Sequence, residues 1–449
     1  MTTLFSRKRT SSLALAIALA TGSAVVATAV IPAEASAQRN RDRKKDQESD
    51  GGGYSDAFRA AYPPLQAAID DQASDIASMT AQFEALLPLL NTPDEKLGGG
   101  SLVYNAGVRA GSQPLQLAGL QNMLASGKVA PEQVGRYNFI AYQLANALKD
   151  MAAARSYLQG AIDANFSTPE IGRADLQIAL AENYFASGEH QNGFDYLTNA
   201  IAARKANGEE VEERWYRRGV TVAYNEKVEP MIYDMLGLWL ADFDSSANWL
   251  DAVNIARNLN SFADGEILDL FRLSRRVDAL KEASDFDYYV DAADARRLPK
   301  EVSDVIKEGK AAGVITSQNL FITEALETAE SRIAQDRADL PALERDAASA
   351  NATVRTVSAA GDTFLSYGDY AKAKRFYEKA LGMPGADTNE TLTRLGIAQV
   401  GLGEYAAARE TFGKVTGSRD PIARLWTIYA TQRQAEAMPA PAAPAVSGS

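Results

Sequence analysis

The chain has 449 residues, with 46 Lys or Arg against 58 Asp or Glu, one His and no Cys. The absent thiol excludes disulfide staples, thiolate metal sites and cysteine nucleophiles, and a single imidazole excludes two-His metal motifs. A formal net charge of −12 argues against nucleic acid and anionic lipid surfaces as main partners, because both need a basic footprint.

Residues 1–37 read as a secretory signal. Arg7-Lys8-Arg9 form a positive start, Leu13 to Ile31 is mostly apolar, and Ala35-Ser36-Ala37 supplies small residues before a cut preceding Gln38. A retained transmembrane anchor is the rival reading, and the Thr21-Gly22-Ser23 interruption and the cleavage triplet favour removal. Removal takes away three basic residues and one acidic residue, which moves the net charge from −12 to −14. Without cysteine no lipoprotein anchor can form, so the expectation is a soluble periplasmic protein of a bacterium with two membranes, with no stable membrane insertion after cleavage. Residues 38–53 mix five basic residues between Arg39 and Lys45 with acids and Gly51-Gly52-Gly53. They read as a flexible tether whose basic half could touch membrane or peptidoglycan, the solvated tether being favoured.

Over 54–134, Phe58, Leu65, Ile69, Ile76, Met79, Phe83, Leu86 and Leu90 recur at helical intervals and predict one or two helices before Asn91-Thr92-Pro93. Leu97 to Gln113, with Gly98-Gly99-Gly100, reads as a long loop and as the least helical part of the chain, either functional or disordered. Residues 135–316 read as degenerate repeats. Ala141, Ala145, Asp150, Ala154, Leu158 and Ala161 are followed by Leu180, Tyr184, Glu189, Gly193, Leu197 and Ala200. Trp215 and Trp249 then stand one repeat length apart, and Asp287 to Ile315 holds another helical pair around Leu298-Pro299. Residues 317–353 predict a connecting helix from Leu320 to about Ala350, kinked or interrupted near Pro341.

Residues 354–437 carry the strongest pattern. Gly361, Gly368, Tyr370, Ala373, Tyr377 and Ala380 recur thirty-five positions later as Gly396, Gly403, Tyr405, Ala408, Phe412 and Val415. Small residues let two helices cross closely, glycine takes the positive φ of the turn, and aromatics fill the wedge between units. Pro421 to Gln434 reads as a last amphipathic helix capping the open end, and 438–449 as a disordered Pro/Ala tail.

This spacing makes the chain resemble a tetratricopeptide-repeat protein, and the Trp-bearing stretch looks like the degenerate units of bacterial cell-envelope proteins, some of which accompany energy-transducing import systems. The resemblance implies an all-α, right-handed helix–turn–helix solenoid. It also implies a concave groove, lined by the first helix of each unit, that takes a protein or peptide partner. The groove positions are Arg136, Gln143 and Asn146, then Asp175, Glu182 and Phe185, then Arg355, Asp362 and Leu365, and then Arg394, Ile397 and Val400. The Lys/Asn/Arg clamp with which family members grip a C-terminal carboxylate is absent. Arg355 and Arg394 could hold one acidic group, although surface arginines near Asp362 and Glu390 are the favoured reading.

The inventory for chemistry is thin. No Gly-x-Ser-x-Gly elbow and no phosphate loop occurs. His190 sits where Tyr370 and Tyr405 sit in the clear repeats, a packing or surface position. The carboxylate pairs Asp242/Asp244 and Asp285/Asp287 lack the order of a calcium loop. The sequence therefore predicts a non-enzymatic envelope scaffold with no cofactor and no metal, of undetermined oligomeric state. The alternative is a glycan or peptidoglycan module using Trp215, Tyr216, Trp239 and Trp249, against which stands their use as inter-repeat core.

Overall fold

The computed structural model describes residues 53–316 and 318–437, so the expected signal segment, nearly all of the charged tether and the tail lie outside the described residues. Those residues form twenty α-helices and no strand. The chain divides into two compact units, one ending at Val211 and the other beginning at Glu212. This boundary falls inside the stretch 135–316 that the sequence groups as one.

The first unit holds α1 (Asp56–Asp70), α2 (Thr80–Leu86), α3 (Pro93–Ala110), α4 (Gln113–Ala125), α5 (Pro131–Ala147), α6 (Met151–Asp163), α7 (Arg173–Ala186) and α8 (His190–Ala206). The second holds α9 (Glu213–Asn225), α10 (Glu229–Asp242), α11 (Ser246–Leu259), α12 (Asp264–Arg276), α13 (Ala283–Ala293) and α14 (Pro299–Ala311). It continues with α15 (Leu320–Ala348), α16 (Val354–Ser366), α17 (Tyr370–Leu381), α18 (Thr388–Gly401), α19 (Tyr405–Phe412) and α20 (Asp420–Ala437). Within each unit consecutive helices pack on one another, as an α-solenoid of helix–turn–helix units requires.

One turn recurs through both units. Gly188, Gly368 and Gly403 adopt φ of 75–76°, and Lys149, Lys227 and Asp278 take the same left-handed region with φ of 62°, 54° and 52°. The next residue closes a six-residue ring back onto the helix it leaves, as in Asp150 N–H to Ala145 O (2.9 Å), Val228 N–H to Ala223 O (3.0 Å) and Asp369 N–H to Phe364 O (2.9 Å). This Schellman closure satisfies the last free carbonyls of each first helix. Where glycine fills it the repeat is visible in the sequence; where Lys or Asp fills it the repeat is hidden.

Within the clear repeats the helix-A glycine faces its own unit's aromatic ring. A Cβ at Gly361 would lie 2.6 Å from the Tyr377 ring, and one at Gly396 would lie 2.4 Å from Phe412. Ala373 and Ala408 complete the crossing and are fully buried.

Three expectations about elements are corrected. Leu97 to Gln113 is not a loop, since residues 97–110 belong to α3. Thr92 caps that helix in a reciprocal box with Glu95, and Pro93 opens it. Its glycines cost helix propensity, about 1 kcal/mol each relative to Ala, but two of them, Gly100 and Gly107, act as spacers against α4. A Cβ at Gly107 would lie 2.5 Å from Gln116 N, and one at Gly119 on α4 would lie 2.5 Å from Tyr104 N. The two backbones approach so closely that only glycine fits. Second, α15 runs from Leu320 to Ala348 with Pro341 inside it, so of the expected kink or interruption the interruption is overturned. Third, α20 does more than cap the end: besides α19 it packs on α10, α11 and α12, with Trp426 fully buried between Phe412 (6.1 Å between centroids) and Tyr429 (5.9 Å).

Candidate functional site

The first helices of the clear repeats are α16 and α18, and on α18 the face that a groove would open is covered. Every residue of α18 from Thr391 to Val400 is buried, Ile397 and Val400 included. The cover is provided by α12 and α20. α12 is apolar round most of its circumference at Leu268, Leu270, Phe271 and Leu273, all buried, which forces the intervening Asp269 and Arg272 into the interior.

The charges there are compensated in one network. The fully buried Asp269 carboxylate accepts from Arg272 (2.8 Å), Arg419 (2.7 Å) and Arg394 (3.3 Å). Arg394 Nη1 also donates to both oxygens of Asp362, each at 2.9 Å, and pairs with Glu390 at 2.6 Å. Arg272 forks onto Glu301 (2.8 and 2.7 Å), which also accepts from Tyr289 Oη at 2.9 Å. Trp426 Nε1 donates to the Asp269 carbonyl at 3.0 Å, which ties α20 to α12. Burial alone would raise the Asp269 carboxyl, but Arg394, Arg272 and Arg419 hold it below the usual carboxylate range. Glu301 is held low in the same way by Arg272. Burial pushes the Tyr377 hydroxyl up, and the Asp362 carboxylate adds to this by its charge and by accepting a hydrogen bond from the hydroxyl at 2.8 Å.

The favoured reading of surface arginines near Asp362 and Glu390 holds for the neighbours of Arg394 but not for its exposure, and the alternative of a shared grip on one acidic group is corrected. Arg394 is only 4 % exposed, and its charge is taken up by the chain's own carboxylates. Leu365 is buried, Asp362 is half-buried and engaged by Tyr377 and Arg394, and Arg355 alone of this set is exposed, on the first turn of α16. The sequence reading missed Asp269, Arg272, Glu301 and Arg419. The signal was the all-round apolar pattern of residues 268–273, which leaves no solvent face for the charges between them.

In the first unit the corresponding face is more polar. Arg136 is exposed, and Gln143 and Asn146, seven and ten positions further along the same helix, share its face and are half-buried. On α7, Asp175 caps the helix start by accepting from Gly172 N–H at 3.0 Å, and Glu182 is half-buried. Phe185 departs from its expected role: it is buried, and its ring fills the space left by Gly193, where a Cβ would approach to 2.5 Å. Its ring lies tilted against Phe194, with centroids 5.1 Å apart.

The aromatic alternative is overturned by burial. Trp215, Tyr216, Trp239 and Trp249 are each at most 2 % exposed, so no sugar ring can reach them. Their polar tips account for the acids nearby: Trp249 Nε1 donates to Asp244 (2.7 Å), Trp239 Nε1 to Glu213 (3.0 Å), and Tyr216 Oη to Asp242. Asp285 accepts from the N–H groups of Lys281 and Glu282, both at 3.1 Å, and Asp287 from Asn319 at 2.7 Å. Both carboxylate pairs are thus engaged by the chain's own side chains and backbone. Among the described residues no group of three or more His, Asp or Glu is placed to hold a metal ion.

With this geometry established, the comparison with known families gives one result. Residues 355–387 match the family model described as Tetratricopeptide repeat, covering α16, α17 and the turn joining them. This chain is therefore similar to tetratricopeptide-repeat proteins, whose repeats generally mediate protein–protein binding. No curated protein matches the chain. No helix among the described residues is long and apolar enough to cross a membrane.

Proposed function

We propose that the protein is a non-enzymatic scaffold or adaptor, exported to the periplasm and acting in cell-envelope assembly or transport. It takes a protein or peptide partner on the polar first-helix face of its N-terminal unit, at Arg136, Gln143, Asn146 and Glu182. The observation that carries this reading is the occlusion of the C-terminal groove: α18 is buried on all sides, whereas α5 presents polar side chains to solvent. The tetratricopeptide match supports a preformed surface that needs no cofactor. The signal pattern of residues 1–37 supports export.

A photo-reactive residue at Gln143, with the protein exposed to its own envelope extract, tests the surface. A discrete protein adduct that is lost on Arg136→Glu supports it. An extract that yields no protein adduct, or an adduct indifferent to Arg136, counts against it. Export is checked separately by N-terminal sequencing of protein from the periplasmic fraction: a start at Gln38 is expected, and an intact N-terminus in the cytoplasm would refute it.

A further inference from the structure

We propose that a cleft in the C-terminal unit is a second docking site, and that it takes a partner segment carrying arginine or lysine beside a large apolar side chain. The cleft lies between the first turn of α12, the first turns of α15 and the end of α13, and encloses about 470 Å3. That is room for one or two side chains of a peptide.

Its floor is apolar, formed by Val290, Ala292, Ala295, Phe321 and Ala325. Phe321 is 45 % exposed, and Leu320 beside it is 73 % exposed. One exposed apolar side chain is ordinary, but Phe321 in the cleft with Leu320 next to it in sequence makes a surface that gains from being covered.

The rim decides the partner's chemistry. Asp264, Asp291, Asp294 and Glu324 line it, all four are exposed, and none is in an ion pair among the described residues. Against them stand Arg296 and Arg297, and the Arg297 guanidinium is turned onto the α13 C-terminus, donating to Ala292 O at 2.8 Å. Four carboxylates against two guanidinium groups leave the lining at a formal −2. A cationic group with an apolar neighbour complements both rim and floor, while an acidic segment is repelled.

The walls are fixed beforehand. Asn319, which caps α15, donates to Asp287 on α13 at 2.7 Å, so the two helices that bear Phe321 and Asp291 are tied together. At the end of α13, Asp294 accepts from Arg296 N–H at 2.9 Å and holds the turn in place. Such a site loses little freedom on binding.

The test selects random dodecapeptides on the purified protein and measures one enriched peptide by fluorescence anisotropy. Enriched peptides with Lys or Arg next to a large apolar residue are expected. Binding should weaken with salt and fall ~10-fold or more both for Phe321→Ala and for Asp291→Asn combined with Glu324→Gln. Changing the peptide's basic residues to Glu should abolish it. All three positions are exposed, so unchanged circular dichroism should accompany the loss. Three outcomes overturn the proposal: no enrichment, enriched peptides that bind these variants as well as the parent, or Phe321-dependent self-association in place of peptide binding. The Gln143 crosslink lies in the other unit and is untouched by these variants, so the two readings fail independently.

Discussion

Two helix contacts in this chain solve the same packing problem by opposite means. α3 meets α4 through bare backbone, with Gly100, Gly107 and Gly119 removing every Cβ that would hold the helices apart. α12 meets α18 and the turn that leads into α20 through charge, with Asp269 gathering Arg394 and Arg419 beside its own helix's Arg272 in a site closed to water. The first contact joins neighbours in sequence across a short turn. The second joins residues 125 and 150 positions apart. Small residues suffice where the turn already fixes the pairing. Where distant elements must find one register among many apolar surfaces, a buried charge network penalises each wrong one, since a misplaced helix would leave ions unpaired.

The sharpest way to break the ionic contact is Asp269→Ala. It removes the shared acceptor and leaves Arg419 with only a 3.6 Å contact to Glu390. A loss of ~3–5 kcal/mol is expected in urea unfolding followed by tryptophan fluorescence, because uncompensated buried charge is costly. All four tryptophans lie in the C-terminal unit, so the signal reports on that unit.

The glycine contact breaks by addition instead of deletion. Gly119→Ala places a methyl 2.5 Å from the Tyr104 backbone nitrogen, which cannot swing away as a side chain could. A loss of ~1–3 kcal/mol is expected in chemical denaturation followed by circular dichroism.

A smaller effect is read by pH at the start of α3. The Glu95 carboxyl is fully buried, which by itself would raise it, but the N–H groups of Ser55, Thr92 and Asn91 lower it from 4.5 to about 2. A depressed carboxyl adds stability above its unfolded value and loses it as the pH falls through the folded one. The N-terminal unit should therefore weaken between about pH 4.5 and 2, and Glu95→Gln should flatten that part of the profile in acid titration by circular dichroism. The smallest change has the opposite sign. Gly98 lies on α3 with nothing within 4 Å of its would-be Cβ, so Gly98→Ala should stabilise by ~0.5–1 kcal/mol in the same denaturation assay. A loss there would mean that the glycines of α3 serve something other than close approach.

The candidate surfaces were legible to different degrees for the same physical reason. The positions Arg136, Gln143 and Asn146 follow from repeat register alone, because register is local. The burial of Arg394 and Phe185 does not follow, because it depends on α12 and on Gly193 respectively. The Gly98-Gly99-Gly100 run misleads in the same way: glycine marks a loop when its neighbours are solvent and a close helix crossing when its neighbour is another backbone, and the sequence is identical in both cases. The acidic cleft beside Phe321 assembles from residues 264, 291–297 and 321–328, which no single helical pattern connects.

By itself the sequence determined the helical class, the repeat spacing, the Gly368 and Gly403 turns and the aromatic wedges, because each depends on φ preference and on apolar spacing within one helix pair. The tertiary structure decided that Lys149, Lys227 and Asp278 form the same turn and that α3 is a helix. It also decided that the C-terminal groove is filled by the chain's own Asp269 network. The first two depend on packing against the adjacent helix and the last on α12 arriving from far along the chain, and local propensity is too weak to outweigh such contacts.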